Sequence, residues 1–166
     1  VPAAWAFARY DFPLKKPVFT VYITLMMMPF QVTMLSNYLV LDRLGLMDTL
    51  WAVILPGAFS TFPVFIMYRF FTGIPEAVVE SARIDGAGEG KIFLYMGIPL
   101  GSGGICSALV LGFLECWNLI EQPLTFLKNK ELWPLSLYLP DIGLLEAPGA
   151  FAASVVVLLP ALFIFL

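Results

Sequence analysis

Histidine is absent from the 166 residues, and cysteine occurs only at Cys106 and Cys116. The first absence excludes Cys/His zinc sites and histidine-based triads. The two thiols share one apolar run, where helical rise holds them roughly 15 Å apart, too far for a disulfide. They read as membrane-buried thiols. Charge is scarce too: Asp, Glu, Lys and Arg make up 13% of the chain and gather between the apolar runs, as expected when each charge inside a bilayer costs several kcal/mol. The formal net charge of -3 is small, and no basic patch interleaved with aromatics appears, so a nucleic-acid partner is not expected. There is no internal repeat, heptad series or low-complexity tract.

What is present is apolar. Hydrophobic residues make up 60% of the chain and the mean hydropathy is +0.90, against about 45–50% apolar in a soluble domain. Lipid is therefore the expected solvent. Three runs reach the span of about 20 residues that a bilayer requires: Val18–Leu41, Leu50–Phe71 and Gly101–Ile120. Val1–Ala8 and Ala150–Leu166 read as two partial spans, the ends of a fragment with at least one further helix upstream. Val1–Ala8 lacks the basic region of a signal peptide, so targeting is expected to come from the helices. None of the runs alternates with period two, which argues for helices over strands. A single all-α membrane domain over residues 1–166, with five segments in view, is the economical reading.

Basic residues in the short connections set the orientation. Arg9, Lys15, Lys16, Arg69, Arg83 and Lys91 fall on one side and Arg43, Lys128 and Lys130 on the other. The richer side faces the cytoplasm, and with it the loop Ile74–Leu100. The external connection Glu121–Pro148 carries Pro123, Pro134, Pro140 and Pro148 with Trp133 and Tyr138, a composition suited to an interfacial loop. Pro29, Pro56, Pro63 and Pro160 fall inside apolar runs and are expected to kink or break them.

The cytoplasmic loop predicts a helix, a turn and a helix. Pro75 and Glu76 open the first helix, and Asp85-Gly86 closes it. A second runs from Ala87 to Met96, with Asp85 placed to accept its free amides, and Pro99 breaks the chain before the next span. On the first helix Val78, Val79 and Ala82 form a small apolar strip, flanked by Glu76, Glu80 and Arg83. Such a strip suits docking into a groove.

The spacing in this loop resembles the signature of ABC importer permeases: Glu-Ala-Ala, three residues, Gly, nine residues, then Ile-x-Leu-Pro. Here Glu80-Ser81-Ala82 precedes Gly86, and Met96-Gly97-Ile98-Pro99 follows after nine residues. Glu80, Ala82, Gly86 and Pro99 are in register, while Ser81, Met96 and Ile98 depart mildly. Ala82-Arg83-Ile84-Asp85-Gly86-Ala87 is similar to the longer motif of the carbohydrate-uptake permeases of the maltose type. The segments Met28–Thr33, Leu44–Trp51, Trp117-Asn118 and Pro123-Leu124 resemble the same family.

That resemblance implies a polytopic transmembrane bundle of the MetI-like type, with about five of the family's six helices in view, in the bacterial cytoplasmic membrane. It also implies a division of labour. The loop around Glu80, Ser81, Ala82, Asp85, Gly86 and Pro99 docks on a dimer of separate ATPase subunits. A second related permease completes the pore, and an extracytoplasmic solute-binding protein delivers a sugar. The permease itself is then no enzyme and needs no cofactor. In agreement, Gly86-Ala87-Gly88-Glu89-Gly90-Lys91-Ile92 only looks like a phosphate loop: Asp85 stands where glycine is required and Ile92 where Ser or Thr is required.

Polar groups inside the spans are candidates for the solute pathway: Gln31, Thr33, Ser60, Thr61, Ser107, Glu115 and Asn118. Ser60, Thr61 and Ser107 read as packing residues bonded to their own helices. Glu115 falls near the outer end of its span, either facing a watery cavity or snorkelling to the interface, and Trp117 and Asn118 beside it could stack on and bond a sugar. Gly97 and Gly101, followed by Gly103 and Gly104, read as sites of close helix packing. Proline-broken helices and an intramembrane acid such as Glu115 are also marks of an ion-gradient-driven secondary transporter, which stays open as the alternative.

Overall fold

The computed structural model describes residues 1–143 and 147–165, with side chains over 1–139 and 152–164. All regular structure among the described residues is helical. The helices are α1 (Pro2–Arg9), α2 (Lys15–Met26), α3 (Phe30–Arg43), α4 (Trp51–Ala58), α5 (Phe62–Thr72), α6 (Glu76–Ile84), α7 (Glu89–Ile92), α8 (Ile98–Leu100), α9 (Ser102–Trp117), α10 (Glu121–Phe126), α11 (Leu135–Gly143) and α12 (Ala147–Phe165). A π-helical turn, Phe93–Gly97, joins α7 to α8, and a 3-10 turn, Lys130–Leu132, precedes α11.

Of the four prolines expected to kink or break the apolar runs, Pro29 and Pro63 stand at interruptions, while Pro56 and Pro160 lie inside α4 and α12. Val18–Leu41 divides into α2 and α3 at Met27–Pro29, with Pro29 extended at the start of α3 (φ -66°, ψ 149°). Pro63 opens α5, at the position where a missing donor costs nothing. By length and composition, Trp51–Thr72 is the one segment among the described residues able to cross a bilayer alone. The count rises to three if the pairs Lys15–Met26 with Phe30–Arg43 and Glu89–Leu100 with Ser102–Trp117 each form a broken span. A shorter apolar stretch, Ala152–Ile164, lies in α12; Leu166, the end of the expected last run, is outside the described residues.

One expectation needs correction. Glu121–Pro148 is not an irregular loop, because α10, the 3-10 turn and α11 occupy most of it. Proline at a helix start is compatible with helix: Pro123 lies in the first turn of α10, and the carbonyl of Pro134 accepts from the amides of Leu137 and Tyr138. Residues 144–146 of that stretch are outside the described residues.

The contacts divide the chain into two compact units, Val1–Met28 with Ser60–Gly112, and Pro29–Phe59 with Phe113–Leu166. The first contains all six basic residues assigned to the cytoplasmic side and the second all three assigned to the other side.

The core of the first unit joins Trp5 of α1, Met67 and Phe71 of α5, Val79 and Ala82 of α6, Ile92 of α7 and Ala108 of α9. Phe71 is fully buried, worth about 1.5–3 kcal/mol relative to exposure, and meets the Trp5 ring edge-on at 5.3 Å. Glycines make this packing possible. A Cβ on Gly97 would lie 2.8 Å from the Trp5 ring, one on Gly101 2.2 Å from Phe71, and one on Gly104 2.6 Å from Phe70. In the second unit Leu41, Ala52 and Phe126 are buried, packed by Phe30, Tyr38, Leu46 and Met47. Large apolar side chains stay exposed elsewhere, including Met27, Phe59 and Phe163, as on helices whose surroundings are apolar.

Candidate functional site

The candidate site is the loop between α5 and α9. Pro75, extended at φ -59° and ψ 137°, stands just before α6, and Glu76 occupies its first turn, beside the positive end of the helix dipole. Nine residues of helix follow, with one apolar face and one polar face.

The orientation of α6 corrects the expected docking strip. Val79 and Ala82 are buried within the unit's own core, with Val78 half-buried beside them. They anchor the helix and are not free for a partner. The opposite face carries Ala77, Glu80, Ser81 and Ile84, all exposed, at the three- and four-residue spacing that keeps them on one side. Ile84 is 87% exposed, a large apolar side chain on this free face. The Ser81 hydroxyl donates to the carbonyl of Val78 at 2.9 Å.

Gly86 ends the helix as its type predicts. Its φ of +82° is left-handed, a region that costs a residue with a Cβ. The reversal lets the Ala87 amide return to the carbonyl of Ala82 at 3.0 Å, closing the helix as in a Schellman turn. Asp85 does not cap the second helix as expected. It is the C-terminal cap of α6, and α7 starts beyond Gly88, which has no side-chain cap. The turn through Gly86 and Ala87 moves the free amides three residues past Asp85.

The second helix also runs further than expected. After the π turn it continues through Pro99 to Leu100, and the bend of 67° falls between Glu89–Leu100 and Ser102–Trp117. Pro99 has no N–H to return to the preceding turn, and π turns accommodate such gaps inside helices. Glu80, Ser81, Asp85, Gly86 and Pro99 are all exposed, while Ala82 and Gly97 of the motif are buried.

Two neighbours at the end of α1, Arg9 and the capping residue Tyr10, unforeseen in the sequence, hold this loop. The side chain of Arg9 is 5% exposed. Its Nη2 donates to the carbonyl of Phe71 at 2.8 Å and to that of Ile74, and its Nη1 lies 3.6 Å from Glu76 Oε2. The guanidinium also stacks over Trp5 at 5.5 Å. Carbonyls at the end of α5 carry the negative end of a helix dipole, so the buried charge is compensated. Tyr10, the next residue, donates its hydroxyl to Glu89 Oε2 at 2.9 Å. Glu89 in turn pairs with Arg83 at 2.8 Å. The Arg83 hydrogen bond, followed by that from Tyr10, holds the Glu89 carboxyl below its ordinary value of 4.5. Burial, then the bond to Glu89, raises the Tyr10 phenol.

The pathway candidates are less gathered. Gln31 Nε2 donates to both carboxylate oxygens of Glu121, at 2.8 and 2.9 Å, a partner the sequence reading missed. Among the described residues no hydrogen bond joins Gln31 to Glu115, Trp117 or Asn118. Glu115 is exposed. The Asn118 amide donates to the carbonyl of Leu114 in its own helix, and Trp117 stacks on Phe113 with centroids 5.3 Å apart. Thr33 and Ser107 also bond their own helix backbones, and Ser107 thereby fits its reading as a packing residue. No cluster able to hold a metal ion occurs among the described residues.

Comparison with known proteins gives a consistent result. Among curated relatives, the chain is 34% identical over 97% of its length to a probable ABC transporter permease protein of Pyrococcus horikoshii, covering 62% of that protein. It is 32% identical over 98% of its length to the arabinooligosaccharides transport system permease protein AraQ of Bacillus subtilis, covering 59% of it. It is 30% identical over 87% of its length to the polygalacturonan/rhamnogalacturonan transport system permease protein YtcP of the same organism, covering 50%. The chain thus spans between half and two thirds of these relatives. Its fold is similar to that of a chain in the crystal structure of a bacterial ABC transporter involved in the import of the acidic polysaccharide alginate, with a TM-score of 0.77 at 23% identity, covering 99% of this chain and 61% of that one. The family model for the binding-protein-dependent transport system inner membrane component matches residues 1–166. With its whole length matched and a helical fold to agree, the chain belongs to that family, the permeases of ABC importers.

Proposed function

We propose that this chain is part of the permease subunit of an ATP-driven importer, moving a sugar or related polar solute inward across the bacterial cytoplasmic membrane by alternating access. The observation that carries the reading is the two-sided helix α6. Its Val79 and Ala82 face is rooted in the core, while its Ala77, Glu80, Ser81 and Ile84 face is free. A helix held this way passes a push on its outer face to the helices behind it, because a close-packed core transmits strain.

The partner on that face is an ABC ATPase subunit, one of a pair. Ile84 supplies the apolar anchor and Glu80 the flanking charge, while Gly86 and Asp85 end the helix at the length the groove accepts. Pro99 and the π turn form the pivot to α9. ATP is bound and hydrolysed on the partner alone. A second related permease completes a multi-pass pore, and an extracytoplasmic solute-binding protein loads it. Gln31, Glu115, Trp117 and Asn118 are offered as the solute-facing group.

The carbohydrate assignment rests on two of these relatives, whose names specify arabinooligosaccharides and polygalacturonan/rhamnogalacturonan transport systems. Membership of a binding-protein-dependent family also favours ATP over an ion gradient as the driving force.

The test is to assemble the whole transporter with Ile84→Asp or Glu80→Arg in this chain, then measure ATPase co-purification and uptake of labelled arabino-oligosaccharides. Both variants should insert normally and lose ATPase association together with uptake. Undiminished association in both would remove the coupling role from α6. Uptake driven by a proton or sodium gradient without ATP would restore the secondary-transporter reading.

A further inference from the structure

α1 is tied to the coupling loop by two consecutive residues that grip different parts of it. Arg9 reaches the carbonyls of Phe71 and Ile74, on either side of the turn that ends α5, and pairs with Glu76 at the start of α6. Tyr10 reaches Glu89 at the start of α7, and Glu89 closes the circuit to Arg83 near the end of α6. In the first grip the Arg9 side chain is buried and Glu76 exposed, and the bond of the second grip is exposed. Between them their contacts reach across 62 to 79 residues of the chain and hold both helices of the loop. Behind the grip, Trp5 of α1 packs on Phe71 and fills the space left by Gly97, so α1 meets the loop by hydrogen bond and its supporting helices by ring packing.

We infer that Arg9 and Tyr10 are positioning residues that form a clasp, delivering displacement of the coupling loop directly to α1. The inference rests on the reading of α6 as the ATPase seat. Its physical basis is stiffness. A guanidinium with two carbonyls, a carboxylate and an aromatic face around it has little freedom to slide, since each contact constrains the same planar group. A loop joined to α1 by chain connectivity alone would move without it.

The experiment uses the full transporter with its ATPase subunits, on a background of Cys106→Ser and Cys116→Ser, because both native thiols are exposed. An environment-sensitive fluorophore is attached through Ala77→Cys on α6 or Ala3→Cys on α1, both exposed positions, and the signal change on trapping with ATP and vanadate is recorded. In the unmodified clasp both positions should respond. In the double variant Tyr10→Phe with Glu76→Gln, which alters the half-buried Tyr10 only at its hydroxyl and otherwise an exposed carboxylate, the α6 response should persist. The α1 response should fall about fivefold, the low end of typical coupling energies. Arg9→Met should abolish the α1 response; if that variant fails to assemble, the double variant decides alone.

An α1 response unchanged in the double variant overturns the clasp. So does loss of both responses together, because that would make Arg9 and Tyr10 supports for docking and not transmitters. A merely structural role would lower the thermal midpoint while leaving the ratio of the two responses intact, and that result also overturns it. Absence of any α6 response before the clasp is altered would instead remove the ATPase-seat reading, and the clasp with it.

Discussion

The ring of Phe71 occupies the space where Gly101 would carry a side chain: a Cβ there would lie 2.2 Å from the ring and 2.9 Å from the carbonyl of Gly97. Phe71 is itself fully buried and cannot swing aside. Gly101→Ala should therefore destabilise the protein by about 1–3 kcal/mol, the range for overpacking a dense core. Gly103→Ala, whose nearest contact is the flexible ring of Phe70 at 3.3 Å, should be close to neutral. Thermal unfolding in detergent would separate the two, and equal midpoints would remove the close-packing account of these glycines.

Gly86 is constrained by backbone alone. No atom lies within 4 Å of a Cβ built there, yet φ is +82°. Gly86→Ala should cost roughly 1–2 kcal/mol through the left-handed backbone, felt locally at the end of α6. Hydrogen exchange at the amides of Asp85 and Ala87 should quicken while that of α5 is unchanged.

Asp48 organises the second unit from a left-handed position of its own, φ +58°. Its Oδ1 accepts from the amides of Lys128 and Asn129 at 2.7 and 2.8 Å, and its own amide donates to Phe126 at 3.0 Å. Asp48→Ala should lose about 1 kcal/mol, as at a helix cap. Asp48→Asn keeps an acceptor and tolerates the left-handed region, and should retain most of the stability. A similar loss in both variants would argue that charge, not geometry, matters there.

The Glu89 carboxyl is held down by Arg83 and Tyr10. A depressed carboxylate contributes stability that is present above its unfolded value, 4.5, and is lost as pH falls through its folded value. The loop should thus be intact at neutral pH and loosen only below about 4.5. In Arg83→Gln the NMR titration midpoint of Glu89 should move upward, and an unmoved midpoint would show that the pair is not formed in solution.

Much of the site was legible before the fold. Gly97, Gly101 and Gly86 declare their roles through type and spacing, since only glycine permits the close approach or the left-handed turn. The amphipathic pattern of Val78, Val79 and Ala82 was legible as well, but not what it faces. Periodicity distinguishes two faces of a helix without saying whether a partner or the protein's own core covers the apolar one. Here the core covers it, and Ile84 on the other face is the exposed apolar residue.

Local chemistry was enough to read a helical membrane chain, the break at Pro29 and the extent of the loop between α5 and α9, because hydropathy, missing backbone donors and glycine act over a few residues. Only the tertiary structure decided that Arg9 meets Phe71, Ile74 and Glu76, that Tyr10 meets Glu89, that Gln31 meets Glu121, and that Asp48 meets Lys128. Those partners are 62 to 90 residues apart in the chain, and a side chain's own identity does not say which distant carbonyl or carboxylate the packing of helices will bring within reach.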